Sequence, residues 1–304
     1  MTTKETSATE VAGLRKSGGH HGDDGKPAES GDRAARHFTI HHDGVTIPVS
    51  RGGRGRPLVL CPGLNSTQAD LQELTELLRH DHDVVTFDLR GHGLASAADR
   101  YSFEAFLSDL AAVMAELERV DLPSAPVLVG YSLGADLVVH YASEHPGTVA
   151  ELILIDGANP VPEPFITEAD VPAFLAMWEE LAAQQEAMRG TARQVLLTAR
   201  EILDLNVEID VVRSRVLDRY KTIDRPISMI MSTSMAGHSG EEHALRFNQN
   251  WRVGVERLLR EQPHIAMFWL DADHQLVFTH TAEIARIIRG AQSTAGLADS
   301  LNTL

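Results

Sequence analysis

The chain has 304 residues, 43% of them hydrophobic, and its 43 acidic and 27 basic side chains give a formal net charge of −16. That length and apolar content allow one large domain or two small ones with a sizeable buried core. The acidic balance argues against sequence-independent nucleic-acid binding and against docking on anionic lipid, both of which need a basic footprint. It also favours a neutral or apolar small-molecule substrate over an anionic one.

Cys61 is the single cysteine, so no internal disulfide forms and the fold does not call for an oxidising compartment. The N-terminal run MTTKETSATEVAGLRKSGGHHGDDGKPAES has no apolar h-region of the kind a secretory signal needs. No apolar run approaches the ~20 residues of a membrane span. A soluble, cytoplasmic protein is the expectation. Residues 1–36, rich in Gly, Ser, Lys, Asp and Glu, read as a disordered tail, with His20 and His21 a solvated pair rather than a metal site.

The chain then changes texture. HFTIHHDGVTIPVS reads as two strands around a turn at Asp43-Gly44. RPLVLCPG is a buried strand, QADLQELTELLRH a helix, DVVTFDLRGHG a strand followed by a Gly-rich loop, and FEAFLSDLAAVMAELERV an amphipathic helix. APVLVGYS is a strand, GADLVVHYASEHP a helix that must stop before Pro146, and AELILIDGANP another strand. Strands that are near-continuous apolar runs, alternating with helices, imply an α/β fold with a parallel sheet covered on both faces. Residues 165–224 break the alternation and read as helical: VPAFLAMWEELAAQQEAM, TARQVLLTAREILDL and IDVVRSRVLDRY. RPISMIMS resumes as a strand, EEHALRFNQNWRVGVERLLRE is a helix, IAMFWLDADH the last strand, and TAEIARIIRGA the closing helix.

LVGYSLGAD, residues 128–136, carries a G-x-S-x-G pattern between a predicted strand and a predicted helix. That context makes Ser132 a candidate nucleophile: a tight turn flanked by glycines projects Oγ at the end of the sheet, and the helix N-terminus favours developing negative charge. An oxyanion hole needs two N–H groups, and Leu133 and Leu64, the latter after Pro62-Gly63, are the candidates. The base is expected on the loop after the final strand, which points to His274, with His280 the weaker choice.

In this order, LVLCPGLNS, DVVTFDLRGHGLAS, LVGYSLGAD, ELILIDGANP and DADHQLV resemble the α/β-hydrolase superfamily, and FDLRGHG resembles its cap-bearing esterase, lactonase and haloperoxidase-like branch. The resemblance implies a mostly parallel eight-stranded sheet with a core over 37–164 and 225–292, a helical lid over 165–224 and a C-terminal tail over 293–304. Pro62-Gly63 departs from the His-Gly many members have, and Ser96 comes one residue later than the usual serine. Serine at 132, where epoxide hydrolases and haloalkane dehalogenases of this fold use Asp, disfavours both activities. Acyl transfer through an acyl-enzyme intermediate remains.

The family's usual acid position, just after the strand that follows the lid, holds Ser232, Thr233, Ser234 and Met235, with no carboxylate. Asp156, at the end of LILIDGANP, is the leading candidate acid. Glu241 or Glu242 is an alternative, as is no acid at all, with Ser234 or water orienting His274. Asp271 and Asp273 stand too close to His274 in sequence to orient it, and Asp136 reads as an ordinary helix residue. HSGEEH at 238–243 does not match the H-E-x-x-H zinc spacing, so neither metal nor cofactor is expected. Phe174 and Trp178, with Leu175 and Met177, are candidates to contact substrate, as is Tyr131; the lid residues are equally what an amphipathic helix packs inward.

The resulting expectation is a serine hydrolase of a small, largely apolar ester or lactone. The Arg- and Ala-heavy, Lys-poor composition suits a GC-rich bacterial genome and a secondary-metabolite substrate. A ligand-binding or sensor protein of the same fold, and a cyclase or lyase using the same residues, stand as alternatives. The sequence is compatible with a homodimer.

Overall fold

The computed structural model describes residues 35–120, 122–239 and 242–290. The expectations for the tail over 1–34, for Glu241 and for 293–304 lie outside the described residues. β1 (Arg36–His42), β2 (Val45–Gly53), β3 (Arg56–Cys61), β4 (His82–Phe87), β5 (Val127–Tyr131), β6 (Glu151–Ile155), β7 (Ile227–Ser232) and β8 (Ala266–Leu270) form one sheet in the order β1-β2-β4-β3-β5-β6-β7-β8. β2 pairs antiparallel with β1 and β4, and every other pair is parallel. The first hairpin closes at Asp43 (φ 49°) and Gly44 (φ 73°), the two positive φ angles that a primed turn requires. β1 begins at Arg36, one residue inside the expected tail, because Arg36 already pairs with Arg51 of β2.

Both faces of the central strands β3, β5, β6 and β7 are buried, which is why they read as continuous apolar runs. Successive residues of β3 face opposite ways: Val59 and Cys61 join one core, Leu58 and Leu60 the other. Helices α2 (Phe103–Arg119), α3 (Leu133–Glu144) and α7 (Glu242–Glu261) cover the first face through Phe106, Leu110, Val138 and Trp251. Helices α1 (Gln72–Arg79), α8 (Leu276–Thr279) and the helix over 281–290 cover the second through Leu74, Leu78, Leu276 and Ile284. Among the described residues no helix is long and apolar enough to cross a membrane.

Between β6 and β7 the chain forms α4 (Val171–Gln185), a short 3-10 turn (Glu186–Met188), α5 (Ala199–Ser214) and α6 (Val216–Tyr220). The expected helix over TARQVLLT is absent. Residues 191–198 instead run past the RGHG loop: Val195 bridges His92, Gly93 N–H donates to Gln194 O at 2.8 Å, and Leu196 N–H donates to Gly91 O at 2.8 Å. Helix α5 starts only after Thr198, which forms a capping box with Glu201.

Candidate active site

Ser132 stands alone between β5 and α3 with φ 52° and ψ −120°, a conformation that costs a non-glycine residue energy and is held only by its surroundings. The turn is pinned by Ser132 N–H donating to Ile155 O at 2.9 Å. The flanking glycines answer to close packing. A Cβ on Gly130 would lie 2.3 Å from Gly134 O, and one on Gly134 would lie 2.3 Å from Cys61 O and 2.6 Å from Pro62 O. The elbow therefore presses α3 directly onto the end of β3, where the Leu64 loop begins.

His274 lies on the loop after β8, its own N–H donating to Met235 O at 3.1 Å. Its Nε2 is 2.9 Å from Ser132 Oγ and its Nδ1 is 2.8 Å from Asp156 Oδ2. The carboxylate accepts, so Nδ1 carries the hydrogen and Nε2 presents its lone pair to the serine hydroxyl. Asp156 is fully buried at the end of β6, with a positive φ of 46°. Its backbone N–H donates to Ile230 O at 2.9 Å. Its Oδ1 accepts from Ser232 N–H at 2.9 Å and Trp251 Nε1 at 3.1 Å, while Ser232 Oγ lies 2.8 Å from Oδ2 and 3.0 Å from Oδ1. The residue found where a carboxylate was sought, Ser232, thus serves the carboxylate one strand away. Neither Glu242 nor Ser234 bonds to His274, and His280 pairs with its neighbour Thr279 at 2.9 Å.

Leu133 opens α3, so its N–H has no partner within the helix. Leu64 N–H donates to no backbone carbonyl among the described residues. Both leucines line, with Ser132 and His274, a cavity of about 540 Å³. Phe174 and Trp178 of α4 line it too, as do Phe165, Ile209, Phe247 and Trp251. Tyr131 does not. It is buried beneath His274, stacked on the ring at 5.4 Å between centroids, and its hydroxyl donates to His274 O at 2.8 Å. The side chain before the elbow serine points to the opposite side of the strand end, so Tyr131 packs against the histidine loop rather than lining the cavity.

Two further groups escape a reading of motifs. His92 of the RGHG loop is wholly buried: its Nδ1 faces Arg90 O at 2.9 Å and its Nε2 accepts from Asn65 N–H at 3.3 Å, next to Leu64. Burial pushes its pKa down to about 4. Asp136, expected to be an ordinary helix residue, is fully buried in an ion pair with Arg213 of α5 at 2.7 Å. Arg213 and Asp210 both line the cavity, and burial raises the Asp210 carboxyl above the usual carboxylate range. Among the described residues no group of three or more His, Cys, Asp or Glu side chains is arranged to hold a metal ion.

A strained serine at a strand-to-helix elbow, a histidine after the last strand and a helical insertion between β6 and β7 define a recognisable architecture. A family profile for the alpha/beta hydrolase fold matches residues 56–230, and the chain belongs to that family. Several of the curated relatives bear enzyme names. An sn-1-specific diacylglycerol lipase of Xenopus laevis is 26% identical over 143 residues, 46% of this chain and 44% of the lipase. The chain thus spans less than half of that relative. A 2-(acetamidomethylene)succinate hydrolase of Mesorhizobium japonicum is 24% identical over 209 residues, 67% of this chain and 69% of the relative. Among solved structures, an esterase from Exiguobacterium antarcticum superposes with a TM-score of 0.64 at 16% identity, covering 82% of this chain and 97% of that one. At that identity the likeness shows the fold alone.

Proposed function

We propose that this protein is a serine hydrolase that cleaves a carboxylic ester or lactone of modest size through an acyl-enzyme. The observation that carries the reading is the unbroken hydrogen-bond chain Ser132–His274–Asp156 opening onto a mostly apolar cavity. Ser132 Oγ attacks the acyl carbon as its proton passes to His274 Nε2. The N–H groups of Leu64 and Leu133 are the donors offered to the oxyanion. Collapse of the intermediate expels the alcohol, which takes the proton from His274, and leaves the acyl group on Ser132. Water, deprotonated by the same Nε2, then releases the acid and restores the serine. Asp156 holds the imidazole in the tautomer this sequence of steps requires.

A cavity of about 540 Å³ suits a small organic substrate rather than a polymer. The bond from Asp156 to His274 supplies the acid that the positions after β7 lack, and it favours the hydrolase over the ligand-binding alternative. The test is covalent labelling by a fluorophosphonate, read by intact mass, together with turnover of p-nitrophenyl esters. One adduct on the wild-type chain and none on Ser132→Ala is the expected outcome. A wild-type chain that stays unlabelled while a control hydrolase reacts would sink the assignment.

A further inference from the structure

Asn206, Ile209, Asp210 and Arg213 occupy positions i, i+3, i+4 and i+7 of α5 and so share one face. All four line the cavity that holds Ser132. Three of them are polar, on the wall of a cavity otherwise built largely from aromatic and aliphatic side chains.

Arg213 is the centre of this patch. Its Nε lies 3.1 Å from both oxygens of Asp136, and its Nη2 donates to Oδ2 at 2.7 Å. Its guanidinium lies over the Trp251 ring, 5.6 Å from the centroid. Its Nη1 donates to no group among the described residues. Holding α5 to α3 needs only the Nε–Nη2 edge, so the ion pair does not account for the remaining donor edge at the cavity wall. Asp210, three residues earlier, accepts from Ile166 N–H at 3.1 Å and keeps further lone pairs. Asn206 spends its Nδ2 on Ile202 O at 2.8 Å and keeps Oδ1 as an acceptor.

Donors and acceptors on a cavity wall need partners once a substrate displaces the water that serves them while the cavity is empty. The local charge decides which partner suits. Asp136 already balances Arg213, and Asp210 adds a second negative charge beside it, so a substrate carboxylate would meet a net negative surround. A neutral group that accepts from Nη1 and donates to Asp210 meets both needs.

We infer that the substrate carries, remote from its scissile bond, a carboxamide that docks against Arg213 and Asp210. This rests on the serine-hydrolase reading and narrows its substrate class: the acyl part is apolar in its walls and amide-bearing at one end. Arg213 and Asp210 are then the specificity determinants, and the buried Asp136 fixes the direction of the guanidinium.

The experiment compares p-nitrophenyl N-acetyl-β-alaninate with p-nitrophenyl hexanoate, its apolar analogue of equal chain length, and with mono-p-nitrophenyl glutarate, which ends in a carboxylate. The wild-type kcat/KM is expected to favour the amide ester over the hexanoate by about tenfold, the worth of one well-placed hydrogen bond at 1.4 kcal/mol. Arg213→Lys, which keeps a cation against Asp136 and loses Nη1, should bring that ratio to about one. Asp210→Asn tests the acceptor side without disturbing the ion pair and should lower the same ratio. A wild-type preference for the hexanoate or the glutarate, or variants that slow amide and apolar esters equally, overturns the inference. Binding to Ser132→Ala, read from tryptophan fluorescence, separates this result from failure of the hydrolase reading. If Ser132 resists the fluorophosphonate but the amide ester still binds about tenfold tighter than the hexanoate, the docking group stands and the chemistry falls. Equal binding of the two overturns the docking group whatever the chemistry.

Discussion

An asparagine at position 156 would keep one oxygen for Ser232 and Trp251 and turn an amide nitrogen toward His274. The imidazole would then have to accept at Nδ1 and carry its hydrogen on Nε2, where it faces the serine as a donor. Ester turnover by Asp156→Asn is expected to fall by about four orders of magnitude in kcat, with near-ultraviolet circular dichroism little changed. Full activity in that variant would remove Asp156 from the mechanism. Ser132 and His274 were readable because each is tied to a local pattern: a glycine-flanked serine after an apolar strand, and a histidine after the last one. Asp156 carries no such mark. It ends its own strand, 118 residues before the histidine it meets, and an aspartate there is equally a loop cap. Tyr131, next to Ser132 in the chain, is not among the residues lining the cavity, because consecutive residues at a strand end face opposite ways.

The tight contact between β3 and α3 belongs to the scale of elements. Gly134→Ala would drive a methyl group into Cys61 O and Pro62 O, neither of which can move without shifting the Leu64 loop. It is expected to cost about 1–3 kcal/mol in unfolding free energy and to lower kcat with it; an unchanged urea midpoint and rate would show that the elbow tolerates separation from β3. At this scale the strands and the helices flanking them were legible, since two-sided burial writes an apolar run and one-sided burial an amphipathic stripe. The segment 191–198 was not. Its apolar residues Val195, Leu196 and Leu197 look like part of a helix, yet they pair with and pack beside the RGHG loop, a partner some hundred residues earlier. The signal that corrects this lies in TARE at 198–201, where Thr and Glu three apart mark a helix start rather than a helix interior.

Over the whole molecule, pH acts on stability through buried histidines. The folded state holds His92 at about 4, below the ordinary 6.5, so it favours the neutral ring. That stabilisation is complete above pH 6.5 and is lost as the pH falls toward 4, about 3 kcal/mol in all. Burial lowers the pKa of His140 too, with the same sign, while the raised carboxyls of Asp88, Glu151 and Asp210 act in the opposite direction. His92→Gln isolates the one contribution: a glutamine oxygen can accept from Asn65 N–H and does not titrate. The variant's unfolding free energy, measured in urea at pH 7 and pH 4.5, should drop by about 2 kcal/mol less than that of the wild type. Identical drops would show that His92 ionises freely in the fold.

By itself the sequence determined what depends on neighbours along the chain: the alternation of strands and helices, the parallel covered sheet, the elbow at Ser132 and the position of His274. Only the tertiary structure decided what depends on neighbours across it. Asp156 reaches His274 because β6, β7 and β8 lie side by side, with Ser232 of β7 closing on the carboxylate. Arg213 faces the cavity because α5 folds back over α3 and finds Asp136 there. A hydrogen bond or an ion pair is set by distance in space, and residues this far apart in the chain leave no periodic trace of it in the sequence.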